Sequence, residues 1–466
     1  MDKNNKLTPY IASSWKTTPD SVTFTIRPNV TCGDGHELTA SDVKKSFKRM
    51  IALKSPLNTS RFGRGPYELS ADDKARTFTF KVGTPFRDLV YGFVDSAPGV
   101  WTGIICPEGL ANPSKMETSS FGAGPYQITE AVHGDHLTMK LRKDFTWGPA
   151  GTTSKTPGVP ETIVFKVVEN DTTAANLLLT GGLDVAAIGG SDVDRLSRQG
   201  SLLHRSAAPY MMEFLALNQS PGRPGEGEVV RKALYTALDP AAFLKVAHND
   251  RGVLSSSPIT SEGQCYDPAT KGLAPKPSTD AARQILLNAG WTMSGGKLVK
   301  DGKPLTVHLD AGPLFGNGPE YITSTWRQMG VNAVLDSKDV NGWVADLSSN
   351  NFDAFIATSA DPLPLMKQIG VTVSGDGPPS GSNYAHINNP VVNREVPLAM
   401  AASTAAQACE HWKLVQEQLW KHWDILPLSA ASNTIFTRNV DLSLLAPSQL
   451  ALNPGQPPAI LMRRQQ

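Results

Sequence analysis

The sequence predicts an α/β protein built from more than one compact domain. Three observations carry this: 466 residues exceed what one ordinary core covers, short period-two apolar runs recur, and amphipathic helical stretches stand between them. The stretch Thr8 to Met50 sets the pattern. Val22, Phe24 and Ile26 alternate with Thr23, Thr25 and Arg27, which places the apolar side chains on one face of a half-buried strand. Cys32-Gly33-Asp34-Gly35 then supplies a tight turn. Thr39 with Asp42 caps a helix in which Val43, Phe47, Met50 and Ile51 form one apolar stripe, leaving Lys44, Lys45, Lys48 and Arg49 on the wet side.

Further elements follow in order. Phe78, Phe80 and Val82 repeat the strand pattern, as do Leu137, Met139 and Leu141, so residues 1–148 read as strands with one strong helix. PAGTTSKTPG, from Pro149, is a linker rich in Gly, Pro, Thr and Ser, after which βα units run to residue 255. A second βα region covers 256–424, with a helix from Thr279 to Ala289 stopped by Gly290. Its last helix, Ala405 to Trp423, carries Cys409, Trp412, Gln416, Leu419 and Trp423 at helical spacing. The chain shows no internal repeat.

Composition narrows the function. With 44 basic and 43 acidic residues the net charge is +1, so no global field favours nucleic acid or an anionic membrane. No apolar run reaches the roughly 18 residues of a spanning helix, and MDKNNKLTPY does not read as a signal peptide. Enzyme motifs are decoys. His36-Glu37 opens like a zinc-protease HExxH, but the second His is missing. His133 and His136 point to opposite faces of a strand, and His411 and His422 stand about three helical turns apart, too far to share an ion. No GxSxG elbow occurs, and the glycines of Phe121 to Tyr126 lack the Lys-Ser/Thr of a phosphate loop. The expectation is no catalytic residue, no metal site and no cofactor.

The motifs themselves resemble a receptor family. IASSW followed by IRPNVTCGDGHELTASDV resembles the signature of the family 5 extracellular solute-binding proteins, the peptide and nickel receptors of ABC importers. The likeness continues in order: FGAGPY at Phe121, the crossover strand Pro160 to Glu169, and the helix Thr172 to Val185. It extends through FLALNQS and VVRKALYTALDP, Lys276 to Trp291, and WRQMGVNAV at Trp326. The resemblance implies a bilobed periplasmic-binding-protein-like fold with an extra subdomain in lobe I and a ligand cleft between lobes. On that pattern 1–148 is the extra subdomain, 149–255 the main sheet of lobe I, 256–424 lobe II, and 425–466 a return to lobe I. Closure around the ligand would then be read by the importer.

The family is exported, so the resemblance implies an extracytoplasmic protein, periplasmic or a cell-surface lipoprotein, whose signal this chain lacks. Family members carry further mature sequence before IASSW, so the chain is expected to begin late. Three pairings of Cys32, Cys106, Cys265 and Cys409 are open, and four buried free thiols are the alternative. If each lobe staples itself, Cys32 joins Cys106 and Cys265 joins Cys409.

The resemblance also points to ligand residues. Asp361, in ATSADPLP, stands where the peptide receptors hold the ligand's α-ammonium group, although Asp-Pro also opens ordinary turns. Asn383 and Tyr384, in GSNYAHINNP, match a loop near the ligand, with a turn-stabilising Asn the plainer role. Asn218 follows an apolar strand towards the cleft, and Trp343 lines the site or packs in the core. The function implied is peptide capture by a monomer and delivery to an ABC permease. Two alternatives stand beside it: a receptor-like fold recruited as an accessory or biosynthetic enzyme, and a nickel or metal-chelate receptor.

Overall fold

The structure is a computed structural model. It describes the chain apart from residues 1, 3, 5, 54–57, 59–60, 64, 95–102, 169, 207–210, 262, 361–366, 433, 446–461 and 465–466. The chain divides into two compact units, one of residues 1–58, 64–208 and 433–466, the other of 59–63 and 209–432.

The first unit begins with an antiparallel sheet. Strands β1 (Ala12–Thr17), β2 (Ser21–Ile26), β3 (Tyr67–Asp72) and β4 (Thr77–Val82) lie in the order β1-β2-β4-β3, with Val22 opposite Phe80 and Phe24 opposite Phe78. Helix α1 (Ala40–Ala52) packs on it through Phe47, stacked 5.2 Å from Phe78 and edge-on to Phe80. Its capping box is complete, because Thr39 accepts from the Asp42 amide and Asp42 accepts from the Thr39 amide. A second antiparallel sheet joins β5 (Tyr126–Val132), β6 (His136–Leu141) and β7 (Thr162–Lys166). Arg142, 5% exposed, ties this region to the turn near residue 32 by donating to the Thr31 and Cys32 carbonyls at 2.7 and 2.9 Å. Cys32 and Cys106 form a disulfide beside it.

Helix α2 (Asp171–Thr180) buries Ala174, Ala175 and Leu178 against a third sheet. That sheet holds β8 (Val185–Ile188) and β9 (Leu203–Ser206) on either side of the returning strand Thr434–Thr437.

The second unit is a six-stranded mixed sheet with helices on both faces. Its strands are β10 (Met211–Leu217), β11 (Gly252–Leu254), β12 (Thr306–Ala311), β13 (Asn332–Ser337), β14 (Ala354–Ala360) and β15 (Ile425–Ala431), in the order β11-β15-β10-β14-β12-β13. β12 runs parallel to β13 and β14, whereas β10 is antiparallel to β14 and β15.

Alternation along β10 feeds two cores. Leu215 and Leu217 join α3 (Glu228–Thr236), α4 (Pro240–His248), α5 (Thr279–Asn288) and α6 (Gly318–Gln328) on one face. Phe214 and Ala216 face α7 (Val340–Ser349), α8 (Pro390–Ala401) and α9 (Ala405–Lys421). Cys265 and Cys409 are joined there, fastening the segment before α5 to α9.

The expected domain limits need correction. Residues 209–255 belong with the second region, because β10 hydrogen-bonds to β14 and β15, strands more than a hundred residues away in sequence. The return to the first unit begins at 433 rather than 425, since β15 completes the second unit's sheet.

Candidate ligand-binding site

In open sheets with parallel strands, ligands settle beyond the strands' carboxyl ends. Here those ends are Ala311 of β12, Ser337 of β13 and Ala360 of β14, with Asp310↔Asp336 and Asp310↔Phe355 in register. Asp361, the sequence's first choice, follows the last residue of β14 and lies outside the described residues.

Trp343 sits on the first turn of α7, whose N-cap Asp339 accepts from the Gly342 amide at 2.8 Å. Its ring meets Phe315 edge-on at 6.3 Å, and its Nε1 is buried with no hydrogen-bond partner. Tyr384 packs edge-on against Phe355 at 6.5 Å, and burial pushes its hydroxyl pKa up. Trp343 and Tyr384 thus border the same apolar cluster.

Asn218 and Asn383 are both committed to hydrogen bonds within loops, for Asn383 the turn-stabilising role weighed beside the ligand role. Asn383, 1% exposed, donates both Nδ2 protons, to the Gly375 and Ile387 carbonyls at 2.9 Å each, and accepts from the Ile387 amide. Asn218, 0% exposed, donates to Asn350 Oδ1 and the Phe352 carbonyl and accepts from the Ser220 amide. Neither amide has a proton left for a ligand; both are loop anchors. They also sit near the amino end of β14, where the Asn218 amide donates to the Asp353 carbonyl and the Gln219 amide to the Ala385 carbonyl.

Two buried carboxyl groups on this sheet escaped the sequence reading. Glu213 on β10, 2% exposed, accepts from His248 Nε2 at 2.8 Å and from Ser429 Oγ at 2.5 Å, which joins β10 to α4 and β15. Asp310 on β12 is 1% exposed, yet neither oxygen has a partner, and burial lifts its pKa to about 6. The signal was the aspartate in the strand VHLDA, a charge placed where a buried strand wants none.

Several of the candidate metal-motif residues are otherwise engaged. His36 pairs with Asp42, Glu37 with Arg76, His411 with Glu395 and His422 with Glu228. Among the described residues no group of three His, Cys, Asp or Glu side chains could hold a metal ion, and no helix is long and apolar enough to cross a membrane.

The chain belongs to the bacterial extracellular solute-binding proteins, family 5, whose model matches residues 6–376. It is therefore an extracytoplasmic solute-binding protein of an ABC importer. Among curated relatives, the oligopeptide-binding protein OppA of Mycobacterium tuberculosis is 23% identical over 446 residues, covering 91% of this chain and 71% of that one. The fold superposes on a substrate-binding protein from Microbacterium hydrocarbonoxydans solved with 4-hydroxybenzoate hydrazide. The TM-score is 0.83 at 24% identity, with coverage of 100% and 92%. It also superposes on the oligopeptide-binding protein AppA of Bacillus subtilis, solved with a nonapeptide, with a TM-score of 0.78 at 17% identity and coverage of 98% and 90%.

Proposed function

We propose that this protein captures oligopeptides outside the cytoplasm as a monomer and hands them to its ABC permease. The observation that supports the substrate class most is the likeness to the mycobacterial oligopeptide-binding protein along nine-tenths of the chain. In this reading Asp361 takes the ligand's α-ammonium group, since an ammonium removed from water needs a carboxylate partner. Trp343 and Tyr384 offer apolar walls, while Asn218 and Asn383 hold the loops that carry their neighbours. Tethering as a lipoprotein belongs to the same reading, and the chain performs no catalysis.

Native mass spectrometry of the protein purified without denaturation, followed by acid release and sequencing of bound small molecules, tests this directly. Co-purifying peptides are the expected result and give their length range. A folded protein that carries no peptide and shows no heat with peptide pools in calorimetry overturns the substrate class.

A further inference from the structure

Helix α1 carries charge of one sign on its wet side. Lys44 and Lys48 stand one turn apart there, as do Lys45 and Arg49, so four cations share a stripe. The helix has one acid, Asp42, which is 3% exposed and closes the capping box. Lys45 reaches back to it at 3.4 Å, whereas Lys44, Lys48 and Arg49 have no ion-pair partner among the described residues. Other helices mix their signs: Arg283 pairs with Asp280 on α5, Arg394 with Glu395 on α8, and Lys421 with Glu417 on α9.

The elements around α1 do not neutralise the stripe. The helix packs on the face of the sheet that carries Phe78 and Phe80, opposite Ala71 and Leu69 of β3. Glu68 and Asp72 alternate with these residues and so point to the other face. Asp73 accepts from the Ser41 amide and hydroxyl at the start of the helix, about two turns before Lys48 and Arg49. A second observation falls on the same helix. Leu53, its C-cap, is 66% exposed, the most exposed large apolar side chain among the described residues, and its amide donates to the Arg49 carbonyl.

We propose that the wet side of α1, ending in Leu53, is a docking surface for the anionic lipid headgroups of the membrane that carries the permease. The balance of 44 basic and 43 acidic residues belongs to the whole chain. At physiological salt, charge is felt over about 8 Å, so a surface meeting α1 meets the stripe alone. Each Lys or Arg near an anionic membrane contributes about fivefold in affinity. Lipid fits better than an acidic protein or a soluble polyanion, because Leu53 gains only where an apolar boundary lies beneath the charge. Such adhesion holds the receptor close to its permease whichever solute it captures, and so stands apart from the peptide reading above.

The test is co-sedimentation of the unacylated protein with vesicles of phosphatidylcholine, alone or mixed with phosphatidylglycerol. Binding is expected only with the mixed vesicles, and it should fall steeply from low to physiological salt. Replacing Lys44→Gln, Lys48→Gln and Arg49→Gln together should weaken it by about a hundredfold, and Lys48→Gln alone by about fivefold. Leu53→Ser should weaken it several-fold at every salt concentration. Peptide heat in calorimetry should be the same for the triple variant and the unmodified protein, which separates adhesion from capture.

Equal binding to the two kinds of vesicle overturns the proposal, as does undiminished binding by the folded triple variant. Soluble polyphosphate bound as tightly as the mixed vesicles, with Leu53→Ser without effect, replaces lipid by a polyanion and also overturns it. If the triple variant does not fold, Lys48→Gln and Leu53→Ser decide.

Discussion

At the scale of single residues, the two kinds of buried polar group on the second unit's sheet predict opposite outcomes. Asp310 has a folded pKa of about 6 against an ordinary 3.8, so between those values the folded state holds more protons than the unfolded one. The contribution of Asp310 to stability is then greatest below pH 4, falls as pH rises to about 6, and levels off, a loss on the order of 2–3 kcal/mol from this group. Asp310→Asn should abolish that slope and stabilise the protein at pH 7, as read by urea unfolding from pH 4 to 7. Asn383 is the converse. Asn383→Ala strands the Gly375 and Ile387 carbonyls and the Ile387 amide, and should cost about 2–3 kcal/mol in urea unfolding. Its ligand affinity should stay within a factor of two or so of the original; a large loss of affinity at unchanged stability would restore the ligand role that the motif suggested. The sequence could place Asn383 and Asn218 in loops but could not say where their amide protons go, because the accepting carbonyls belong to Gly375, Ile387 and Phe352 in folded loops. Asp310 was legible only as a break in a strand's apolar pattern, since its lack of a partner is a property of the packed sheet.

At the scale of elements, local signals read well and long-range pairing did not. The Thr39–Asp42 box, the alternation of β2 and β4, and the stop of α5 before Gly290 are each decided within a few residues. Thr39→Ala should accordingly cost about 1 kcal/mol through the cap of α1, seen as a lower unfolding midpoint of the first unit. The sheet to which β10 belongs is set by partners at Ala354–Ala360 and Ile425–Ala431, and an apolar run buried on both faces has no periodicity that names its neighbours. That is why the boundary expected at 255 falls at 208. The disulfides are likewise long-range, closing separations of 74 and 144 residues. Replacing Cys265 and Cys409 together by Ser should cost about 2–4 kcal/mol, with chain entropy setting a ceiling near 5 kcal/mol for the longer loop. Each bridge lies within one unit, so this loss should appear in the second unit's transition and leave the first unit's in place.

At the scale of the whole molecule, two compact units with separate cores predict that unfolding need not be a single step. That makes calorimetry a probe of where the ligand is held. A ligand present at a hundred times its dissociation constant stabilises what it binds by about 2.7 kcal/mol. For a unit of a couple of hundred residues this raises the transition by roughly 5–10 °C. A ligand held by the second unit alone, at the carboxyl ends of its parallel strands, should raise that unit's transition and leave the other where it was. The near-neutral balance of 44 basic and 43 acidic residues adds a second constraint, because steering by net charge is absent. Association with neutral peptides should therefore change little between low and physiological salt in stopped-flow measurements. A steep fall in association rate with salt would place a concentrated local charge at the site and shift attention to charged ligands.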